Sequence, residues 1–178
     1  DEAAMSKRIE SLVGTDAGRL IQAYRTEFPE MSPSEVYFYI SSYSMMGADS
    51  IRIAERKAAI GKAPAYLYRL DWETPVEGGR LISPHGLEMP LVFDNVDRGG
   101  EGLTGGVDAA KKLAAVMSEA WVALAAGGDP NSDKSGLPQW PPYDSEKRAT
   151  MVFDTESRVV NDPQKEQRLI FEKTGDRT

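Results

Sequence analysis

Cysteine is absent from all 178 residues, and histidine occurs once, at His85. The first absence excludes disulfides, thiolate-held zinc and a cysteine nucleophile, while saying nothing of the compartment. No run of 18 apolar residues exists, so no membrane-spanning helix is expected. The start DEAAMSKRIE has neither a basic n-region nor an apolar h-region, so an intact secretory signal is not expected either. No N-x-S/T acceptor for glycosylation is present. Basic residues are in the minority, 21 against 28 acids, for a net charge of -7. That balance argues against nucleic acid and anionic membrane as main partners, because both need clustered Lys and Arg.

What remains is ordinary globular material: 40% hydrophobic and 28% charged, without repeats or low-complexity tracts. The length suits one domain or slightly more. Residues 1–62 read as helical. Met5, Ile9, Leu12 and Val13 recur at three- and four-residue steps before Gly14. Leu20, Ile21, Tyr24 and Phe28 form a second stripe, with Thr15 or Asp16 as its cap, and Pro29 ends it. Ser32-Pro33-Ser34-Glu35 is a start signal with proline where its missing N–H costs nothing. A further helix is expected from Ile51 to Ala59.

After Pro64 the pattern changes. Ala65-Tyr66-Leu67-Tyr68-Arg69-Leu70-Asp71-Trp72 reads as a strand, with apolar residues on both faces as in a sheet covered on both sides. A polar loop follows to Pro84, then His85, the apolar stretch Leu87–Phe93 and a glycine-rich loop over 99–106. Asp108–Ala126 is the clearest helix, with Leu113, Met117, Trp121 and Leu124 on one stripe and Gly127-Gly128 at its end. Thr150–Phe153 and Arg158–Val160 are strand candidates, and a last helix runs from Asp162-Pro163 through Phe171.

Four features invite a chemical reading. Gly100-Glu101-Gly102-Leu103-Thr104-Gly105 satisfies G-x-G-x-x-G, but Asn95–Arg98 is a poor strand and no second strand follows the helix directly. A dinucleotide site needs both, so a loop is the better reading. Asp129-x-Asn131-x-Asp133 opens like a calcium loop, yet Lys134 stands where the sharp turn needs glycine and Trp140 where the bidentate glutamate belongs. Turn chemistry is the better account. Met45-Met46 with Tyr37, Tyr39 and Tyr43 line either an apolar pocket or the core. His85, between Pro84 and Gly86 on a loop after a strand, is either a catalytic imidazole or a surface residue.

The chain resembles a known family at these residues. Ala65–Trp72, Gly79-Arg80-Leu81 and His85-Gly86-Leu87-Glu88-Met89-Pro90-Leu91-Val92-Phe93 are similar to the C-terminal part of type B carboxylesterases. That α/β-hydrolase group includes bacterial p-nitrobenzyl esterase-like enzymes and, distantly, cholinesterases. The similarity continues through Trp121, Gly128-Asp129-Pro130-Asn131, Leu137–Tyr143 and Thr150–Asp154. The resemblance implies an α/β fold, namely the C-terminal part of an α/β-hydrolase. Residues 1–62 become a helical segment bordering the substrate entrance, and 63–178 the C-terminal part of the core with the histidine loop. His85 becomes the triad histidine of a serine esterase, Glu88 its supporting carboxylate (or a helix-start acid), and Met45, Met46 and Leu87 candidates for the substrate pocket. The substrate is a small carboxylic ester, and neither cofactor nor metal is implied.

The departures from the family are as informative. The fold's triad runs Ser, then Asp or Glu, then His. These residues hold no G-x-S-x-G and no HGGG-type oxyanion loop. The chain is therefore expected to be a C-terminal fragment, inactive alone, whose nucleophile and acid lie on an N-terminal remainder, in the same polypeptide or in a separate chain. The other reading is a non-catalytic, cholinesterase-like interaction module. Cytoplasmic and secreted locations both stay open.

Overall fold

The computed structural model describes residues 1–175. Its contacts divide the chain into Asp1–Arg56 with Pro163–Thr178, and Lys57–Asp162.

The first unit is helical. Helix α1 (Glu2–Val13) starts at Asp1, whose carboxylate accepts from the Ala4 N–H at 2.9 Å, and stops at Gly14. After a 3-10 turn at Gly14–Asp16 comes α2 (Ala17–Glu27). Asp16 does not cap it through its side chain but pairs with Arg19 at 3.1 Å. Helix α3 (Pro33–Ser42) opens with a full capping box, Ser32 and Glu35 each satisfying the other's backbone N–H. Those bonds hold the Glu35 carboxyl below its ordinary range. Helix α4 (Ala48–Ile60) begins earlier than expected, because the chain passes from α3 through a π-helical turn at Tyr43–Gly47 without breaking. Gly47 permits this: a Cβ there would sit 3.2 Å from the Tyr43 ring. Ile9, Leu20, Tyr24, Val36 and Ile40 are the buried centre, joined by Ile170 of α8 (Lys165–Gly175).

The second unit is built on a three-stranded sheet in the order β1-β2-β3. Strand β1 (Leu67–Leu70) runs parallel to β2 (Ala149–Phe153), with Leu67 opposite Thr150 and Leu70 opposite Phe153. Strand β3 (Arg158–Asn161) returns antiparallel to β2. All five residues of β2 are buried, as a covered central strand requires. The crossover from β1 to β2 carries α5 (Glu88–Val92), the single-turn α6 (Glu101–Thr104) and the long α7 (Asp108–Gly127). Leu87 and Leu91 pack with Leu113 and Met117 of α7 and with Met151 and Phe153 of β2 to form the core.

Two motifs resolve into packing. Residues 96–99 form turns, so no strand precedes the glycines of the G-x-G-x-x-G segment. Gly100 is required because a Cβ would lie 2.6 Å from the Pro90 Cβ and 2.9 Å from the Val96 Cα. In the Asp129–Asp133 segment, Asn131 acts as a staple. Its carboxamide accepts from the Trp140 N–H at 2.7 Å and donates to the Trp140 carbonyl at 2.9 Å, fixing the proline-rich loop. Among the described residues no helix is long and apolar enough to cross a membrane.

Candidate active site

The loop that carries His85 leaves the C-terminal end of β1, the end at which open α/β sheets place their ligands. Its departure is firmly held. The N–H groups of Asp71 and Trp72 both donate to the Phe153 carbonyl, at 2.8 and 3.2 Å. Arg69 grips the Asp71 carboxylate with two bonds of 2.6 and 2.7 Å, a bidentate geometry worth more than a single contact. Trp72 is buried in the core.

The loop then closes on itself. The Thr74 N–H donates to the Ile82 carbonyl at 2.9 Å, leaving residues 75–81 as a surface excursion. Ile82 has φ 57, a conformation that a β-branched residue adopts only when its surroundings enforce it. The Ser83 hydroxyl donates back to the Leu70 carbonyl at 3.4 Å. Next comes a β-turn over 84–87, closed by the Leu87 N–H to the Pro84 carbonyl at 3.0 Å. Gly86 occupies the third position with φ 86, the requirement of a type II turn that glycine meets without strain.

His85 thus stands at the second corner of a tight turn, exposed to solvent between a rigid Pro84 and Gly86. Among the described residues no hydrogen bond or ion pair engages its imidazole. Leu87, the next residue but one, is fully buried and fastens the turn to the core. It offers no surface to a ligand, which departs from the pocket role expected of it. An apolar run in sequence does not distinguish a cavity wall from a core anchor. Glu88 is the first residue of α5, where a carboxylate is favoured by the helix dipole. It also lies close enough to Tyr68 of β1 to matter electrically. Burial chiefly, and the Glu88 charge in addition, push the Tyr68 hydroxyl above its ordinary range. Tyr68 in turn meets Trp121 and Phe153 edge-on, with ring centres 5.0 and 5.9 Å apart.

His85, Leu87 and Glu88 therefore share one short, well-anchored segment. Met45 and Met46 belong to the other unit, in the π-helical turn, and are 71% and 58% exposed. Such turns recur at functional sites, and exposed Met side chains adapt to varied apolar ligands. Sequence reasoning did not single out Thr74, Ile82 or Tyr68. Thr74 bonds to a residue 29 positions away, a relation invisible to local pattern.

Known proteins place this geometry. Residues 17–171 match the model of the carboxylesterase family. The para-nitrobenzyl esterase of Bacillus subtilis is 34% identical over 127 residues, 70% of this chain and 25% of that protein. The phenmedipham hydrolase of Pseudarthrobacter oxydans is 30% identical over 132 residues, covering 72% of this chain and 26% of its own length. A solved carboxylesterase of Geobacillus stearothermophilus superposes with a TM-score of 0.77 at 32% identity, over 96% of this chain and 35% of that one. A solved PNB esterase gives 0.63 at 25% identity, over 96% and 33%. The chain spans about a quarter of the length of the curated relatives it matches. Its sheet, crossover helices and long matched span agree on one assignment: the chain has the α/β-hydrolase fold and belongs to the carboxylesterase family.

Proposed function

We propose that this chain is the C-terminal part of a serine carboxylesterase and supplies its triad histidine, His85. The observation that carries the reading is the position of the chain's one imidazole, exposed on a fixed turn beyond the C-terminal end of a parallel strand. The nucleophilic serine and the triad acid come from an N-terminal remainder, in the same polypeptide or a second one. Among the described residues β1 has β2 on one side only, and its other edge is a natural place for the remainder's sheet to continue.

In this reading the serine hydroxyl attacks the carbonyl carbon of a small carboxylic ester while the His85 imidazole takes its proton. Collapse of the tetrahedral adduct expels the alkoxide, which leaves as the alcohol with that proton. His85 then removes a proton from water as the water attacks the acyl-enzyme. The departing serine recovers the proton, and the carboxylic acid is released. General acid–base work of this kind contributes about 10²–10⁴ in rate. Glu88 supports the turn at the start of α5.

The test is fluorophosphonate labelling followed by denaturing intact-mass spectrometry, with p-nitrophenyl butyrate turnover in parallel. Label on a serine outside this chain, and loss of both labelling and turnover in His85→Ala, are expected. The 178-residue chain alone is expected to take no label and to turn over no ester. Turnover by the chain alone that disappears in His85→Ala would refute the need for a remainder.

A further inference from the structure

The glycine-rich segment 99–106 has no role in the chemistry described so far, yet it touches the histidine loop on both sides of His85. On the upstream side, Thr74 is 1% exposed and its hydroxyl donates to the Leu103 carbonyl of α6. The same hydroxyl oxygen accepts from the Val76 N–H at 3.2 Å. Through its own N–H, Thr74 holds the Ile82 carbonyl at 2.9 Å, three residues before His85. On the downstream side, Gly100 lies against Pro90 of α5 so closely that no side chain fits between them. Gly105 lies against the Pro75 ring, which a Cβ would approach to 3.1 Å. One short segment is thus bonded to the residue that closes the loop before His85 and packed against the helix that follows it.

We infer that α6 and its flanking glycines are a brace for His85, and that Thr74 is the positioning residue that transmits it. Three observations converge on this. The strained φ of Ile82 needs something to enforce it, and the Thr74 N–H is bonded to that residue's carbonyl. The Thr74 hydroxyl has satisfied partners on both its donor and acceptor sides, so its orientation is fixed. The imidazole itself has no hydrogen bond among the described residues, so its placement depends on the backbone beneath it. A reacting group displaced by about 1 Å loses on the order of 10²-fold in rate, so a small slackening of this closure reaches the chemistry. Thr74 touches neither substrate nor the reacting atoms. It acts through the backbone.

The inference rests on the proposed catalytic role of His85, and the experiment separates the two. It uses the assembled esterase containing this chain, with Thr74→Val, Thr74→Ser and His85→Ala compared. Active sites are titrated with fluorophosphonate, so that rates are expressed per folded, reactive site. Thr74→Val keeps the size and the N–H but loses the hydroxyl. Its kcat per titrated site is expected to fall by about 10- to 100-fold with KM unchanged. Thr74→Ser restores the hydroxyl and most of the rate. A Thr74→Val enzyme with fewer active sites but a wild-type rate at each would overturn the brace and leave Thr74 a purely structural residue. A fall in Thr74→Val that serine does not rescue would also overturn it. Wild-type turnover in His85→Ala would instead remove the catalytic reading on which the inference stands.

Discussion

Replacing Gly100 and Gly102 by alanine, one at a time, separates packing from nucleotide binding as the reason for this glycine-rich segment. Gly100 has φ -83 and ψ -11, a conformation open to any residue, so alanine there carries no backbone strain. The cost is steric. The new Cβ would meet the Pro90 Cβ at 2.6 Å, the Val96 Cα at 2.9 Å and the Asn95 carbonyl at 3.0 Å. None of these is the far end of a flexible side chain, so α5 or the turn before α6 must move. Overpacking of this kind costs about 1–3 kcal/mol, and the two backbone partners favour the upper half of that range. Gly102 lies within α6 on the exposed side, and a Cβ there meets nothing within 4 Å. Alanine in a helix is favoured over glycine by about 0.5–1 kcal/mol, so Gly102→Ala should stabilise slightly.

The two variants should therefore differ by roughly 3 kcal/mol. At about 2–4 °C per kcal/mol for a chain of this size, that separates their melting points by roughly 6–12 °C, with Gly100→Ala below wild type. Circular dichroism melts under one buffer suffice. A dinucleotide site would rank the positions differently, because there the middle glycine gives way to the pyrophosphate. Equal melting points for the two variants would refute the packing account.

Leu87→Ala removes a fully buried anchor beneath the histidine turn and should cost about 2–5 kcal/mol in a denaturant melt. Asn131→Ala leaves the Trp140 N–H and carbonyl without their partner, for a loss of about 1–3 kcal/mol, read as a lower urea midpoint. Ser32→Ala removes the reciprocal cap of α3 at a cost of about 1 kcal/mol and lets Glu35 titrate nearer its ordinary 4.5. Because Glu35 binds its proton less readily when folded, its contribution is complete above 4.5 and is lost as pH falls through the lowered folded value, which carboxyl NMR follows. Tyr68 has the opposite sense. Its folded value is raised above 10, so its contribution is complete below 10 and is lost as pH rises through the folded value. Glu88→Gln should bring the Tyr68 titration, followed at 295 nm, back toward 10.

The parts of this fold that were legible in sequence are those whose causes are local. The 3.6-residue stripe of Leu113, Met117 and Trp121 and the terminal glycines fix α7 from within its own span. The Ser32–Glu35 box likewise needs only four residues. Strand β1 is shorter than its aromatic run because a strand extends only as far as its partner. The ladder with β2 covers Leu67–Leu70, while Ala65 spends its carbonyl on the Tyr143 N–H at 2.7 Å instead. The join between α3 and α4 was hidden for a related reason. It depends on the Tyr43 ring lying over Gly47, and no periodicity reports a ring position. At the site, His85 and its turn residues were visible because Pro84 and Gly86 state the turn chemistry directly. Thr74 was not, since a lone buried threonine carries no pattern until its partner at Leu103 is known.

The triad role proposed for His85 makes a demand on its surroundings. A triad imidazole needs a carboxylate on one nitrogen to set its tautomer and to stabilise the cation formed during catalysis. Two acids of the histidine loop are paired with cations: Asp71 is bound at both oxygens by Arg69, and Glu77 pairs with Arg80. Meanwhile the backbone on either side of His85 is fixed by the Thr74–Ile82 closure and the buried Leu87. An imidazole with a rigid base and an open head is suited to receive its acid and its serine from elsewhere. Flexibility at the base would make such an encounter imprecise. The proposed division of labour follows: this chain aims the histidine, and the remainder of the enzyme brings the groups that histidine serves.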